Sequence, residues 1–271
     1  VGDSYQLPSV GPGQVLHDLI SSGKLAVVEL KELYRQGKDS NILSLAYDVR
    51  NGKVCDDVFN QDEDLTFISC HGDAVISNLM DVSSTFKDLS YKKFQILAPM
   101  YKTSCGIDMI NQKLQVIFNP KDKSKKEIVV GEVIFREGDK VIELTNMPDE
   151  NIYNGDIGII SQIITQPAKK IIIDFDGNEV TFTAANFNKF RLAYAISIHK
   201  AQGSEFDVVV MPIVPEYRKM LYRKLVYTGI TRSKKMLYLM GDINALRGAV
   251  NNTSSDIRRT TIKDFLENGI K

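Results

Sequence analysis

The sequence is poor in the features that mark membrane, secreted or uniformly charged proteins. Its three cysteines, Cys55, Cys70 and Cys105, are far apart, odd in number and form no C-x-x-C pair. That pattern argues against a disulfide framework or a zinc site; no metal ligand is assigned, and a reducing, cytoplasmic setting fits best. The longest apolar run, around Val208–Val214, contains Pro212 and is far too short to cross a bilayer, so no membrane partner is expected. No targeting segment is recognisable. Lys+Arg and Asp+Glu both total 34, giving a formal net charge of zero. Any nucleic-acid site must therefore be a local patch. What remains is ordinary: 271 residues, 43% apolar and 25% charged, enough for one large soluble domain or a domain carrying a smaller one.

A phosphate-binding loop is also missing. The pattern G-x-x-x-x-G-K-[ST] wraps phosphates in backbone N–H groups and holds Mg²⁺ through a hydroxyl. Gly23-Lys24, Gly37-Lys38 and Gly52-Lys53 each lack the preceding Gly and the following Ser/Thr. The stretch IIIDFDG imitates a magnesium-holding strand. Asp176-Gly177 followed by EVTFT instead predicts a hairpin.

Three textures follow along the chain. From Leu25 to about Val116, LAVVEL, LTFISC and KFQILAP read as strands, while DAVISNLMDVSSTF and CGIDMINQKLQVIF read as helices. Strands and helices alternating at this length predict parallel βαβ wiring. From about Asn119 to Asn186, EVIFREGDKVIEL, DIGIISQIIT, KKIIIDF and EVTFTAA are short, β-branched and punctuated by Asp-Gly and Asn-Gly turns, which predicts a small antiparallel barrel. Its entry, the Lys-rich 121–126, is a solvated boundary loop or a phosphate-binding patch. From Lys189 onward the α/β texture returns. RLAYAIS reads as a strand feeding a helix that starts in IHKAQGSEF, DVVVMPIV and KMLYLMGD as strands, YRKMLYRKLVYTGITRS as an amphipathic basic helix, and a short helix closes the chain.

Four polar loops stand at suggestive places. GDSYQLPSVGPG puts Gln6 just past a strand end, and ELYRQG puts Arg35 and Gln36 after AVVEL. AISIHKAQGSEF sets Ser197, His199, Gln202, Gly203 and Glu205 at a strand-to-helix junction, and LVYTGITRSKK sets Arg232 at a helix end before a strand. In that order these resemble motifs III, IV, V and VI of superfamily-one helicases. They resemble in particular the RecD-type DNA helicases, the motor class that includes the exodeoxyribonuclease V alpha subunit. QILAPMYKTSCGIDMIN and GDKVIELTN with YNGDIG resemble the segments flanking that family's small SH3-like insertion. Each motif is weak alone; the order, the spacing and the interrupting β block make the combination specific over nearly the whole chain.

The resemblance implies an α/β fold: a RecA-like parallel sheet flanked by helices, of the P-loop NTPase type, with an inserted SH3-like β-barrel. It implies residues 1–24 as the tail of a first RecA-like domain, 25–118 with 187–271 as a second motor domain, and 119–186 as the insertion. Motifs I and II, with the P-loop and magnesium acids, have no counterpart here. The chain is therefore expected to be the C-terminal portion of an ATP- and Mg²⁺-dependent helicase, inactive alone. Single-stranded DNA is its partner, 5′-to-3′ movement and a role in recombination or repair are implied, and other helicase–nuclease subunits are optional partners.

Residue roles follow by the same resemblance. Arg35 and Arg232 reach the γ-phosphate, a task that suits planar, permanently charged guanidinium groups. Gln6 senses that phosphate and Asp3 braces its loop at the nucleotide site. Gly203 and Glu205 belong to the nucleotide side, Glu205 facing ribose or serving as a first-turn helix acid. Ser197 and His199 serve the DNA strand, with His199 alternatively a structural hydrogen-bonder. At the Ser197 position the family usually has Thr; the hydroxyl is retained. Pro99 and Met100 resemble a DNA-facing loop, or a packed strand end. Asn154 lines the DNA path or simply makes an Asn-Gly turn. Two other functions compete: the helicase part of a conjugative relaxase, and a non-catalytic single-strand-binding scaffold.

Overall fold

The computed structural model describes residues 2–8, 11, 13–29, 40–59, 63–253 and 260–269. Arg35 lies outside the described residues. The chain divides into two compact units, residues 1–70 with 202–271, and residues 71–201.

In the first unit three strands run parallel: β1 (Leu65–Ser69), β12 (Ser233–Gly241) and β11 (Phe206–Ile213), with β12 between the other two. Leu237 pairs with Leu65 on one side and Val209 on the other, so β12 is hydrogen-bonded along both edges. Its Leu237, Leu239 and Met240 are fully buried, as a continuous apolar run covered on both faces requires. Helices α2 (Asn41–Arg50), α5 (Arg223–Ile230) and α6 (Ile243–Asn251) cover these strands, and α1 (Val15–Ser21) meets α7 (Ile262–Asn268). Gly241 ends β12 at φ +133°, where a Cβ would stand 2.1 Å from the Ile213 carbonyl oxygen. Only glycine fits there. Asp242 then starts α6 by accepting a hydrogen bond from Asn244 N at 2.7 Å.

In the second unit β2 (Phe94–Ala98) runs parallel to β10 (Ala195–Ser197), and α3 (Asp73–Ser84) packs on α4 (Ile107–Phe118). The β-rich part is a hairpin, β3 (Glu127–Val130) with β4 (Val133–Arg136), and an antiparallel sheet. That sheet runs β8 (Asn178–Thr183), β7 (Lys170–Phe175), β6 (Ile157–Ile164), β5 (Lys140–Glu143), β9 (Phe190–Leu192). Phe175 pairs with Asn178 across Asp176-Gly177, whose φ values are +57° and +87°. Both central residues are left-handed, as a two-residue hairpin turn demands, so IIIDFDG is a hairpin and not a magnesium strand.

The fold class is as expected: parallel strands flanked by helices, with a small antiparallel sheet inserted. Four local expectations fail. LAVVEL forms no strand among its described residues, and Val28 is 89% exposed. RLAYAIS is two strands, because Ala193 and Tyr194 cross from β9 to β10. The crossing is pinned by the Gln95 amide, which donates to both their carbonyls at 3.1 and 3.0 Å. No helix starts in IHKAQGSEF: residues 198–203 are turns, closed by Lys200 N and Ala201 N donating to the Ser197 carbonyl. The long basic helix is a single 3-10 turn, Pro215–Tyr217, followed by the eight-residue α5, because Tyr222 is extended at φ −148°, ψ 160°.

A polar centre lies under the β-rich part. Asp139 is fully buried and accepts from Gln115 Nε2 (2.6 Å), Asn119 Nδ2 (2.7 Å), Tyr194 OH (2.9 Å) and Arg136 N (2.7 Å). Beside it the Lys140 Nζ donates to Gln95 Oε1 at 2.8 Å and the Phe94 carbonyl at 3.1 Å. Burial pushes the Lys140 amine down from 10.5 to about 7. Between those values the unfolded chain holds a proton that the folded chain releases, so stability rises with pH across the window. Urea unfolding of the chain is expected to show that slope, and Lys140→Met to flatten it. An unchanged slope would mean that the amine stays charged.

Candidate functional site

In the first unit the loop at residues 2–8 meets one face of α5. Tyr227 and Thr228 lie in the last turn of α5, and Thr231 and Arg232 follow in the turn that leads to β12. Thr228 Oγ1 accepts from Leu7 N at 2.8 Å while donating to the Lys224 carbonyl at 2.7 Å, and the Leu7 carbonyl takes the Gln202 Nε2 at 2.8 Å. The loop is thus held at both backbone groups of Leu7. Its side chains turn to Arg232, whose guanidinium is buried. Nε donates to the Thr228 carbonyl (3.2 Å), Nη1 to the Ser204 carbonyl (3.1 Å), and Nη2 to Gln6 Oε1 (3.1 Å) and Thr231 Oγ1 (3.3 Å).

Three residues predicted for the nucleotide therefore stand together: Asp3, Gln6 and Arg232. Asp3 Oδ1 accepts from Tyr5 N at 2.9 Å, and its Oδ2 from Gln6 Nε2 (3.2 Å) and Tyr227 OH (3.0 Å). Burial, reinforced by the Asp3 carboxylate, pushes the Tyr227 hydroxyl well above the usual phenol range. Gly203 has φ +84° with open space where a Cβ would project. Glu205 Oε2 pairs with Lys234 Nζ at 3.1 Å. The group offers guanidinium, amide and hydroxyl functions, which match phosphate oxygens. Of its described carboxylates, Asp3 is engaged by the loop and Glu205 by Lys234.

The residues predicted for DNA all lie in the second unit. Ser197 is buried; its Oγ accepts from Lys200 N at 3.2 Å, and it sits at a strand-to-turn junction, so no helix N-terminus stands there. His199 is half-buried in the same turns. Asn154 Oδ1 accepts from Lys200 Nζ at 2.6 Å, which ties the Asn154-Gly155 turn to the Ser197–His199 segment. Partial burial lowers the Lys200 amine from its ordinary value. Pro99 is buried and Met100 half-buried at the end of β2, where the Met100 carbonyl accepts from Ile107 N at 2.9 Å and caps the start of α4. A cleft of about 380 Å³ opens nearby in this unit, lined by cations (Lys102, Arg191, Lys200) and by acids (Asp108, Glu132) alike. Arg191 lies over the Tyr101 ring at 5.3 Å.

Residue-by-residue reading missed Tyr227, Thr228 and Lys200. The first two belong to the stretch read as an amphipathic basic helix, where an aromatic and a threonine carry no signal of their own. Lys200 had no signal of its own, because its partner Asn154 is 46 residues away.

Three family models match the chain: an ATP-dependent RecD-like DNA helicase SH3 domain at residues 110–175, a UvrD-like helicase C-terminal domain at 192–240, and an AAA domain at 1–73. The ATP-dependent RecD2 DNA helicase of Deinococcus radiodurans is 32% identical over 249 residues, covering 90% of this chain and 32% of that protein. The RecBCD enzyme subunit RecD of Mycolicibacterium smegmatis is 25% identical over 276 residues, covering 92% of this chain and 46% of that protein. The chain thus spans less than half the length of these relatives. In fold it resembles a Pif1 helicase from Bacteroides solved with ADP-AlF3 and single-stranded DNA (TM-score 0.51, 18% identity, 97% of this chain and 65% of that one). It likewise resembles the Pif1 helicase of Candida albicans (TM-score 0.51, 17% identity, 98% and 67%). With its motif order, its inserted antiparallel sheet and these relatives, the chain belongs with the RecD-type helicases of superfamily one.

Proposed function

We propose that this chain supplies the γ-phosphate-sensing and strand-gripping portion of an ATP-dependent RecD-type DNA helicase. The observation that carries the reading is the Gln6–Arg232 contact: an amide and a buried guanidinium, 226 residues apart, meet on a braced loop. Side by side, the guanidinium and the amide carry N–H donors of the kind that match phosphate oxygens. ATP supplies the reactive phosphoryl group; Arg232 and Arg35 orient and neutralise its oxygens, and Gln6 reports its presence. The sequence contains no G-x-x-x-x-G-K-[ST] loop, and no step is assigned to Mg²⁺. Ser197, His199, Asn154, Pro99 and Met100 form the strand-facing group, and Gly203 with Glu205 the ribose side. Movement 5′ to 3′, a role in recombination or repair, association with further helicase–nuclease subunits and a cytoplasmic location belong to the same proposal. So does the division into residues 1–24, 25–118 with 187–271, and an inserted 119–186. Among the described residues no helix is long and apolar enough to cross a membrane.

A non-catalytic scaffold would have no need of the Gln6–Arg232 pair, so we favour the motor. The test begins with the 271-residue chain itself. It is expected to bind a fluorescent single-stranded oligonucleotide with an affinity that falls as salt rises, and to turn over ATP at background. Robust DNA-stimulated turnover by this chain alone, or no strand binding at low salt, would refute the proposal.

A further inference from the structure

We propose that Tyr227 and Asp3 are positioning residues that dictate which end of the Gln6 side-chain amide faces Arg232, so that a γ-phosphate is sensed through a half-turn of that amide. The inference rests on reading the constellation as a γ-phosphate site and deepens it.

An amide is chemically one-sided: its oxygen only accepts and its nitrogen only donates. Gln6 Oε1 lies 3.1 Å from Arg232 Nη2, a group with donors alone, and Gln6 Nε2 lies 3.2 Å from Asp3 Oδ2, an acceptor. Both ends are matched. The reverse orientation would set the amide nitrogen against the guanidinium and the amide oxygen against the carboxylate, two repulsive contacts in place of two hydrogen bonds.

The direction of Gln6 is therefore as secure as the position of Asp3, and Asp3 is held twice. Tyr5 N donates to its Oδ1 and the Tyr227 hydroxyl to its Oδ2. Tyr227 stays a donor throughout the physiological range, since its hydroxyl is pushed above the usual phenol value. Its ring meets Tyr5 edge-on at 6.4 Å between centroids, and Arg50 lies over the Tyr5 ring, 3.7 Å from its centroid. Aromatic and cation–π contacts thus keep the hydroxyl aimed at Asp3.

A phosphate oxygen accepts and never donates. To bond one, Gln6 must offer Nε2, the end now turned to Asp3, and Arg232 must release Oε1 to take phosphate itself. One half-turn about the terminal side-chain bond achieves both, at the cost of the Asp3 contact. That terminal torsion is soft and two-fold, so the two orientations are natural end states. When phosphate leaves, Arg232 recaptures Oε1 and Asp3 recaptures Nε2. The Tyr227–Asp3 pair holds the phosphate-free orientation and opposes γ-phosphate binding.

The test uses the complete gene product that carries this chain. Calorimetry gives the affinities of a non-hydrolysable ATP analogue and of ADP for wild type, Tyr227→Phe and Gln6→Glu, and steady-state kinetics separates KM from kcat. Tyr227→Phe removes one hydroxyl and little volume. It is expected to raise the analogue-to-ADP affinity ratio roughly tenfold, the worth of one hydrogen bond to a charged group, with KM for ATP falling more than kcat changes. Gln6→Glu accepts from Arg232 but cannot donate to phosphate, and is expected to lose the analogue while keeping ADP. In the 271-residue chain, the Gln6 side-chain amide resonance, identified by its loss in Gln6→Ala, should move in Tyr227→Phe without added nucleotide. An unchanged affinity ratio in a wild type that binds both nucleotides, or an unmoved amide resonance, would reduce Tyr227 to a structural brace and overturn the inference. A wild type that binds neither nucleotide would instead refute the γ-phosphate reading, and this inference with it.

Discussion

Replacing Arg232 by alanine in the complete gene product is expected to lower single-strand-stimulated ATP turnover by about 10³-fold or more, with affinity for single-stranded DNA unchanged. The size follows from what the group does: a fixed guanidinium stabilises charge spread over phosphoryl oxygens in a site where water cannot substitute. Arg232→Lys should not rescue it. Lysine offers a point charge without the planar fork that now spans the Thr228 and Ser204 carbonyls and Gln6 Oε1. Those same carbonyls provide the control. If Arg232 mainly ties α5 to the Ser204 turn, the alanine variant will lose thermal stability and nucleotide-independent structure, and its kinetic defect will be no larger than that loss explains. A steady-state comparison alongside thermal unfolding separates the two outcomes.

The second large effect is on stability. Asp139→Ala in the 271-residue chain is expected to cost about 4 kcal/mol or more in urea unfolding, enough to unfold a marginal unit. The substitution strips the acceptor from four donors at once: Gln115 Nε2, Asn119 Nδ2, Tyr194 OH and Arg136 N. Each would be left buried without that acceptor. Burial raises the Asp139 carboxyl above its ordinary value even though these hydrogen bonds pull it down, so desolvation is the larger influence. Asp139→Asn is expected to cost less, since its oxygen still accepts from two of the donors. An alanine variant within about 1 kcal/mol of wild type would contradict the view that this centre joins α4 to the β-rich part.

Much of the fold was legible in local pattern. The Asp176-Gly177 turn identified the β7–β8 hairpin from two residues, because only a left-handed pair closes so short a loop. β11 and β12 announced themselves as continuous apolar runs. What local pattern missed was decided by distant partners. RLAYAIS has one unbroken strand-like texture, yet the Gln95 amide, nearly a hundred residues earlier, takes the carbonyls of Ala193 and Tyr194 and splits it between two sheets. IHKAQGSEF carries helix-compatible residues, but the Ser197 hydroxyl and carbonyl capture the first free N–H groups and close turns instead. Helix α2 was overlooked although Ser40 caps it and Ile42, Leu45, Ala46 and Val49 repeat at helical spacing.

The site divides similarly. Gln6 and Arg232 were named from motif order, and they meet. Tyr227 and Thr228 were invisible because a helix facing a sheet explains an aromatic and a threonine equally well; only the approach of residues 2–8 gives them partners. Ser197 and His199 kept their neighbourhood but lost the helix N-terminus that would have favoured phosphate, so Lys200, bonded to Asn154, is the cation of that segment.

The central claim is that the Gln6–Arg232 constellation serves ATP turnover coupled to a DNA strand. Its most direct measurement is the rate of ATP hydrolysis by the complete gene product, with and without single-stranded DNA. The account predicts slow turnover that rises strongly when the strand is added. Turnover that ignores the strand, or is absent while the protein binds DNA tightly, would contradict it and favour the non-catalytic scaffold.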